Sequence, residues 1–382
     1  MAETLPYGSW RSPITSDLIV GETIGLGAVL VDGKDIYWIE SRPGEGGRNV
    51  LVRHDSDGEP LDLTPPPFNA RTRVHEYGGG AVAIGRGLIY FSNFADQRLY
   101  WQIGGGAPEA VTPAPEPTGS GWRYADGCID REDGHWIGVR EEHTSERSVI
   151  NTLVAVDPRA GTPGQVLAQG CDFYAAPRLS PDGKQLVWLN WNHPHMPWVS
   201  TELWLARIKD DGSLAEPKRV AGGPRESICQ PEWTPDGGLV FVSDRSGWWN
   251  LYRCDTAGDG AIRALCPRDA EFGRAHWVFG QSTYAFLTLE RIACAYNEAG
   301  RGRLGILDLT RGSLTPVDLP YIDFGSVKVI AGRVVCLAGS PSEPPAVIAI
   351  DIESGATEVL RRSAEIDENP DLRRYLSMPQ HL

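Results

Sequence analysis

No run of apolar residues in this sequence approaches the roughly 18 that a membrane-spanning helix needs. The opening stretch, Met1 to Trp10, has neither the basic nor the apolar segment of an export signal, so the chain reads as a cytoplasmic protein. Basic residues are scarce: 36 Lys and Arg stand against 50 Asp and Glu, a formal net charge of −14. That balance repels phosphate backbones and anionic lipid surfaces, which excludes nucleic acid and membrane as partners. The seven cysteines form no Cys-x-x-Cys pair, so zinc and dithiol chemistry have no framework, and they read as reduced, buried thiols. A helical period of 3.6 is nearly absent outside a short polar stretch near Glu365 to Tyr375. A nucleophile elbow, Gly-x-Ser-x-Gly, is missing too. Ser282 has Gly280 two residues before it, but Tyr284 stands where the second glycine belongs. A Ser-His-Asp set assembled from separated residues is singled out by nothing in the sequence.

What the chain has in quantity is aromatic mass and turns. Thirteen tryptophans and twelve tyrosines rule out disorder, while 44 glycines and 29 prolines are spread evenly and imply many short elements. Turn-forming pairs precede short apolar runs again and again, as in Asp32-Gly33 before Ile36-Tyr37-Trp38-Ile39 and Pro181-Asp182-Gly183 before Leu186-Val187-Trp188-Leu189. Anchors at Ile36, Leu88, Trp136, Leu186, Leu239, Ile292 and Val334 are spaced by 42 to 53 residues. A second apolar run follows each anchor, so each repeat is a hairpin or more. Proline presets the first turn dihedral and glycine accepts positive φ, which tight strand reversals require. Seven copies at this period predict an all-β fold, a seven-bladed β-propeller over 21–360. Two flanks lie outside it: a segment 1–20 that packs on a partner domain, and a linker 361–382.

Candidate sites are few. His193-Pro194-His195 has the His-x-His spacing of metal ligands, but the proline argues for a loop and no carboxylate cluster completes a set, so no metal is expected. No cofactor is implied either. Acidic pairs such as Glu141-Glu142 read as a solvated face. The densest constellation is the segment 71–80, with Arg71, Arg73, His75, Glu76 and Tyr77 ahead of Gly78-Gly79-Gly80. Two readings of it stay open. In one, mixed charge beside a glycine run binds substrate, with Glu76 or Arg73 on a peptide terminus. In the other, the glycines let the chain enter the next inner strand and Arg pairs with Glu. Trp10, Trp198, Trp248 and Trp249 are interface candidates, although adjacent Trp248 and Trp249 point to opposite faces of a strand, which turns one of them into the core.

Several of these segments resemble a known family. Arg73-Val74-His75-Glu76-Tyr77-Gly78-Gly79-Gly80, Trp191-Asn192-His193-Pro194 with Met196-Pro197-Trp198, Thr201-Glu202-Leu203-Trp204, Gln230-Pro231-Glu232-Trp233 and Ser243-Asp244-Arg245-Ser246-Gly247-Trp248-Trp249-Asn250-Leu251-Tyr252 are similar to the amino-terminal propeller of prolyl oligopeptidase family serine peptidases, in the acylaminoacyl-peptidase or dipeptidyl-aminopeptidase-like branch. Phe272-Gly273, Trp277-Val278-Phe279-Gly280 and Ser282-Thr283-Tyr284-Ala285-Phe286 extend the likeness across nearly the whole chain.

The resemblance implies a propeller that restricts access to an α/β-hydrolase domain, in cis or as a separate chain, which carries the triad and acts on peptides. No catalytic residue is inherited here, and the likeness gives His195 no metal role. A second function class stays open, a free-standing propeller that binds a protein or peptide and catalyses nothing. A domain face left uncovered also leaves room for a homo-oligomer.

Overall fold

The computed structural model describes residues 4–9, 14–16, 23–55, 59–115, 121–145, 148–256, 258, 260–364 and 377–378. Trp10, most of the segment 1–20 and most of the linker 361–382, including the polar stretch near Glu365, lie outside the described residues. Apart from one 3-10 turn, Pro43–Glu45, the described elements are strands, arranged as seven four-stranded antiparallel sheets. The chain is an all-β, seven-bladed β-propeller. Each sheet uses four consecutive strands, and the last strand of blade 7, Thr357–Arg362, runs two residues into the stretch read as a linker.

The sequence anchors fall on the second strand of every blade: Asp35–Arg42, Leu88–Ser92, Trp136–Ser145, Gln185–Trp191, Leu239–Ser243, Arg291–Glu298 and Arg333–Gly339. These strands are apolar on both faces because each sheet is sandwiched between two others. Side chains alternate across a strand, and the alternation distributes them between neighbouring cores. Val50 and Val52 join a cluster with Val335 and Val347 of blade 7, whereas Leu51 between them joins Ile89 and Phe91 of blade 2. Seven such clusters occur, one between each pair of consecutive blades.

The ring closes without strand exchange. The seventh cluster joins blade 7 to blade 1, Ser326 Oγ accepts from the Val29 amide at 2.8 Å, and Arg361 Nε donates to Glu40 Oε1 at 2.8 Å. The Ile24 amide bonds the Ser363 carbonyl at 2.9 Å along the same seam.

The innermost strands carry a repeated device that the sequence reading missed. In blades 1, 3, 4, 5 and 7 the register slips by one residue, and in the last four the first bulge residue, Asp126, Ala176, Gln230 or Ser326, has positive φ. Three of these side chains bond backbone in the next blade. Asp126 Oδ2 accepts from the Ala176 amide at 2.6 Å, Gln230 bonds Thr283 N and Tyr284 O at 2.6 and 2.7 Å, and Ser326 makes the seam contact. The bulges thus tie adjacent blades at the wall of an axial channel of about 1400 Å³.

Candidate functional site

In a four-stranded blade, the turn between strands two and three and the connection into the next blade emerge at the same end. The segment 71–80, entering blade 2, therefore shares a face with the 196–199 turn of blade 4, the 244–249 turn of blade 5 and the segment 265–283 that enters blade 6. Two of these connections meet. Gly79 pairs with Phe279 in a parallel bridge, and Phe279 N donates to Gly78 O at 3.1 Å. A Cβ on Gly79 would lie 2.6 Å from both N and O of Phe279, and Gly79 has φ +86, so only glycine fits the crossing. Gly79, Gly80, Val278, Phe279 and Gly280 border the channel and cover its end at this face. The glycine run admits another stretch of backbone.

The five candidates of 71–80 separate into two groups. Arg71 lies over the Phe94 ring at 4.8 Å and borders the channel. His75 and Glu76 both have positive φ, and their side chains go to opposite sides of the segment. His75 goes inward, with ring centroids 4.7 Å from Phe279, 5.0 Å from Phe173 and 5.7 Å from Trp191. Burial pushes its pKa down to about 4. Its backbone amide donates to Glu141 Oε1 at 2.6 Å. Glu76 goes outward, accepting from Arg123 Nη1 at 2.6 Å and standing 3.4 Å from Arg73 Nη2. The Arg123 bond holds the Glu76 carboxyl below its usual range. Tyr77 is exposed and sets its ring edge-on to Trp277 at 5.6 Å.

Arg123, Glu141 and Trp277 were not among the sequence candidates. Glu141 corrects the expectation of a solvated pair: it is buried, accepts from the His75 amide, and stands 3.1 Å from His143 Nε2 and 3.6 Å from Arg123. Strand alternation was the available signal, since residue 141 follows the inward positions 137 and 139 in the Trp136–Ser145 strand.

Trp198 packs on Trp277 at 4.3 Å, so Tyr77, Trp277 and Trp198 form a chain of rings across three loops. Trp248 is exposed, while Trp249 packs against the core between blades 5 and 6 and against His276, so of the adjacent pair Trp248 is the one offered outward. Met196, Val199 and Val278 add exposed apolar surface to this face. Behind the rings a cavity of about 70 Å³ is bordered by His75, His276 and Gln281. Their Nε2, Nε2 and Oε1 atoms are buried with no hydrogen-bond partner among the described residues, and the volume suits water. Burial lowers the His276 pKa to about 4 as well. His193 and His195 are exposed in their loop, and no metal-ligand cluster occurs among the described residues. No helix among those residues is long and apolar enough to cross a membrane.

No family model matches the sequence, and no curated protein matches it. Solved structures do. A puromycin hydrolase shares 38% identity with a TM-score of 0.88, covering 96% of this chain and 58% of its own. A puromycin-hydrolyzing peptidase of Mycobacterium tuberculosis shares 35% identity with a TM-score of 0.91, covering 99% and 59%. The chain matches an amino-terminal propeller of the prolyl oligopeptidase family. Prolyl oligopeptidase B of Galerina marginata, at 13% identity and a TM-score of 0.68, shares the fold. This propeller spans about 59% of the length of the puromycin-hydrolysing relatives.

Proposed function

We propose that this propeller is the substrate-gating part of a prolyl oligopeptidase-type serine peptidase acting on peptides, non-catalytic by itself. The reading rests on one observation above the others: 37% identity and a TM-score of 0.90 to a puromycin hydrolase, over 99% of this chain but 59% of that one. The remaining part of such a relative is where a hydrolase domain belongs, and this sequence has no nucleophile elbow of its own. The face bearing Tyr77, Trp277, Trp198 and Trp248 packs on that domain, in cis or as a separate chain. Exposed aromatic side chains gathered on one face of a propeller favour this, because contiguous apolar surface marks interaction sites.

Gating follows from the crossing of Gly79 and Phe279. Paired backbone covers the axial route at this face, so peptides reach the hydrolase around the rim of the propeller. Arg73, 49% exposed and held by one contact at 3.4 Å, is placed to meet a peptide carboxylate or carbonyl there, and Glu76 holds the second arginine of the pair, Arg123, in position.

The 382-residue chain, assayed with puromycin and aminoacyl chromogenic substrates, is expected to give no turnover and no labelling by a serine-directed fluorophosphonate. Both an activated nucleophile and an oxyanion hole are needed for the rate. Turnover abolished by that reagent overturns the proposal. In the two-domain enzyme, Glu76→Gln is expected to alter substrate selection with little change in melting temperature. An unchanged selection profile with a large stability loss assigns Glu76 to packing alone.

A further inference from the structure

The bulges of the innermost strands place a second set of residues at one level of the channel. The residue after the two-residue bulge is Cys128 in blade 3, Arg178 in blade 4, Glu232 in blade 5 and Lys328 in blade 7, and all four border the channel. Their charges are not matched evenly. Arg178 Nε stands 3.4 Å from Glu232 Oε1, and its Nη1 is 3.8 Å from Asp126 Oδ1. The second Asp126 oxygen is engaged by the Ala176 amide at 2.6 Å. The Lys328 side chain has no hydrogen-bond or ion-pair partner among the described residues, and Glu232 Oε2 accepts no hydrogen bond among them. Burial disfavours the charged form of Lys328, with the Glu232 carboxylate opposing that effect. Lys328 is half-buried on the channel wall, so its unpaired ammonium is open to a ligand in the channel, and an incoming carboxylate would form a charge-assisted hydrogen bond with it.

The opposite end of the channel is rimmed by the turns between first and second strands. It presents Asp32, Asp130, Glu132 and Asp182 against Arg86 and Arg131. An acidic rim disfavours entry of a bare anion and favours a molecule that leads with an ammonium group. The channel volume exceeds that of an ordinary small-molecule pocket, roughly 300–1,000 Å³, so an extended ligand has room.

We propose that the channel binds a small zwitterion of the amino-acid or short-peptide class, its carboxylate on Lys328 and its ammonium toward Glu232. This site lies behind the loop crossing and is distinct from the face assigned to the hydrolase domain. Binding there requires no peptidase activity.

Titration calorimetry on the 382-residue chain tests it with three probes: diglycine, N-acetylglycine, which lacks the ammonium, and glycinamide, which lacks the carboxylate. Saturable binding of diglycine is expected, weakened about tenfold or more in either analogue, as loss of one charge-assisted hydrogen bond implies. Lys328→Met should weaken diglycine about tenfold or more, whereas Lys328→Arg should retain it. Glu232→Gln should weaken diglycine without affecting N-acetylglycine, and decides the matter independently if Lys328→Met fails to fold by circular dichroism. The proposal is overturned if diglycine shows no saturable binding, if folded Lys328→Met binds it as tightly as the native chain, or if N-acetylglycine matches it.

Discussion

Replacing Glu40 with alanine should loosen the seam between the first and last blades. The carboxylate is 1% exposed and accepts from Trp38 Nε1 at 3.1 Å, Arg42 Nε at 2.9 Å, Arg42 Nη2 at 2.7 Å and Arg361 Nε at 2.8 Å. Removing it affects the three donors unequally. Arg42 keeps Asp62 at 2.6 Å and Glu45 at 3.2 Å, so its charge stays paired. Arg361 is 42% exposed and turns to water, but the contact from blade 7 to blade 1 goes with it. The Trp38 indole, fully buried, is left without an acceptor, which costs about 1–3 kcal/mol.

Breaking a buried ion pair from one side costs about 3–5 kcal/mol, and the partial rescue of both arginines places Glu40→Ala at the lower end, about 3 kcal/mol. Against a total stability on the order of 5–15 kcal/mol that is a large fraction. Urea denaturation of the variant and the native chain measures the loss. Amide exchange then locates it: the Ile24 and Val29 amides at the seam should exchange faster, while the Ala176 amide between blades 3 and 4 should not. A loss below about 1 kcal/mol, or exchange that rises equally at both places, refutes the view that Glu40 holds the ring shut.

The buried histidines make the structure acid-sensitive. His75 and His276 have folded pKa values of about 4 against an ordinary 6.5, so between those pH values the unfolded chain binds more protons and stability falls as pH drops. Each contributes up to about 3 kcal/mol over that window, and a His75→Gln/His276→Gln double variant should show a flatter decline in urea midpoint between pH 7 and pH 4.5. Equal slopes contradict this. Gly79→Ala should cost more than Gly33→Ala: both have positive φ, worth about 1–2 kcal/mol, but a Cβ meets Phe279 backbone at Gly79 and nothing within 4 Å at Gly33. Equal melting temperatures for the two variants deny the crossing its structural weight.

The second and third strands were legible because blade stacking buries both of their faces. Leu239-Val240-Phe241-Val242, all fully buried, is an uninterrupted apolar run for that reason. First strands escaped because their inner face borders a channel and a bulge breaks the period at Asp126-Gly127, Gln230-Pro231 and Ser326-Val327. The fourth strands Leu61–Asp62 and Glu109–Ala110 escaped because they are two residues long and exposed at the rim. The segment 71–80 stood out through its composition. Its partner across the channel, 278–280, lies some 200 residues away, and no local pattern links the two. Arg178, Glu232 and Lys328 became a set only once the bulges had aligned them.

Amide exchange on the propeller, free and joined to the hydrolase domain proposed for it, tests the central claim most directly. Protection is expected in 71–80, 196–199 and 276–278, the face carrying Tyr77, Trp198 and Trp277. Protection confined to the turns at Asp32-Gly33 and Pro181-Asp182-Gly183 on the opposite face, or no protection at all, contradicts it.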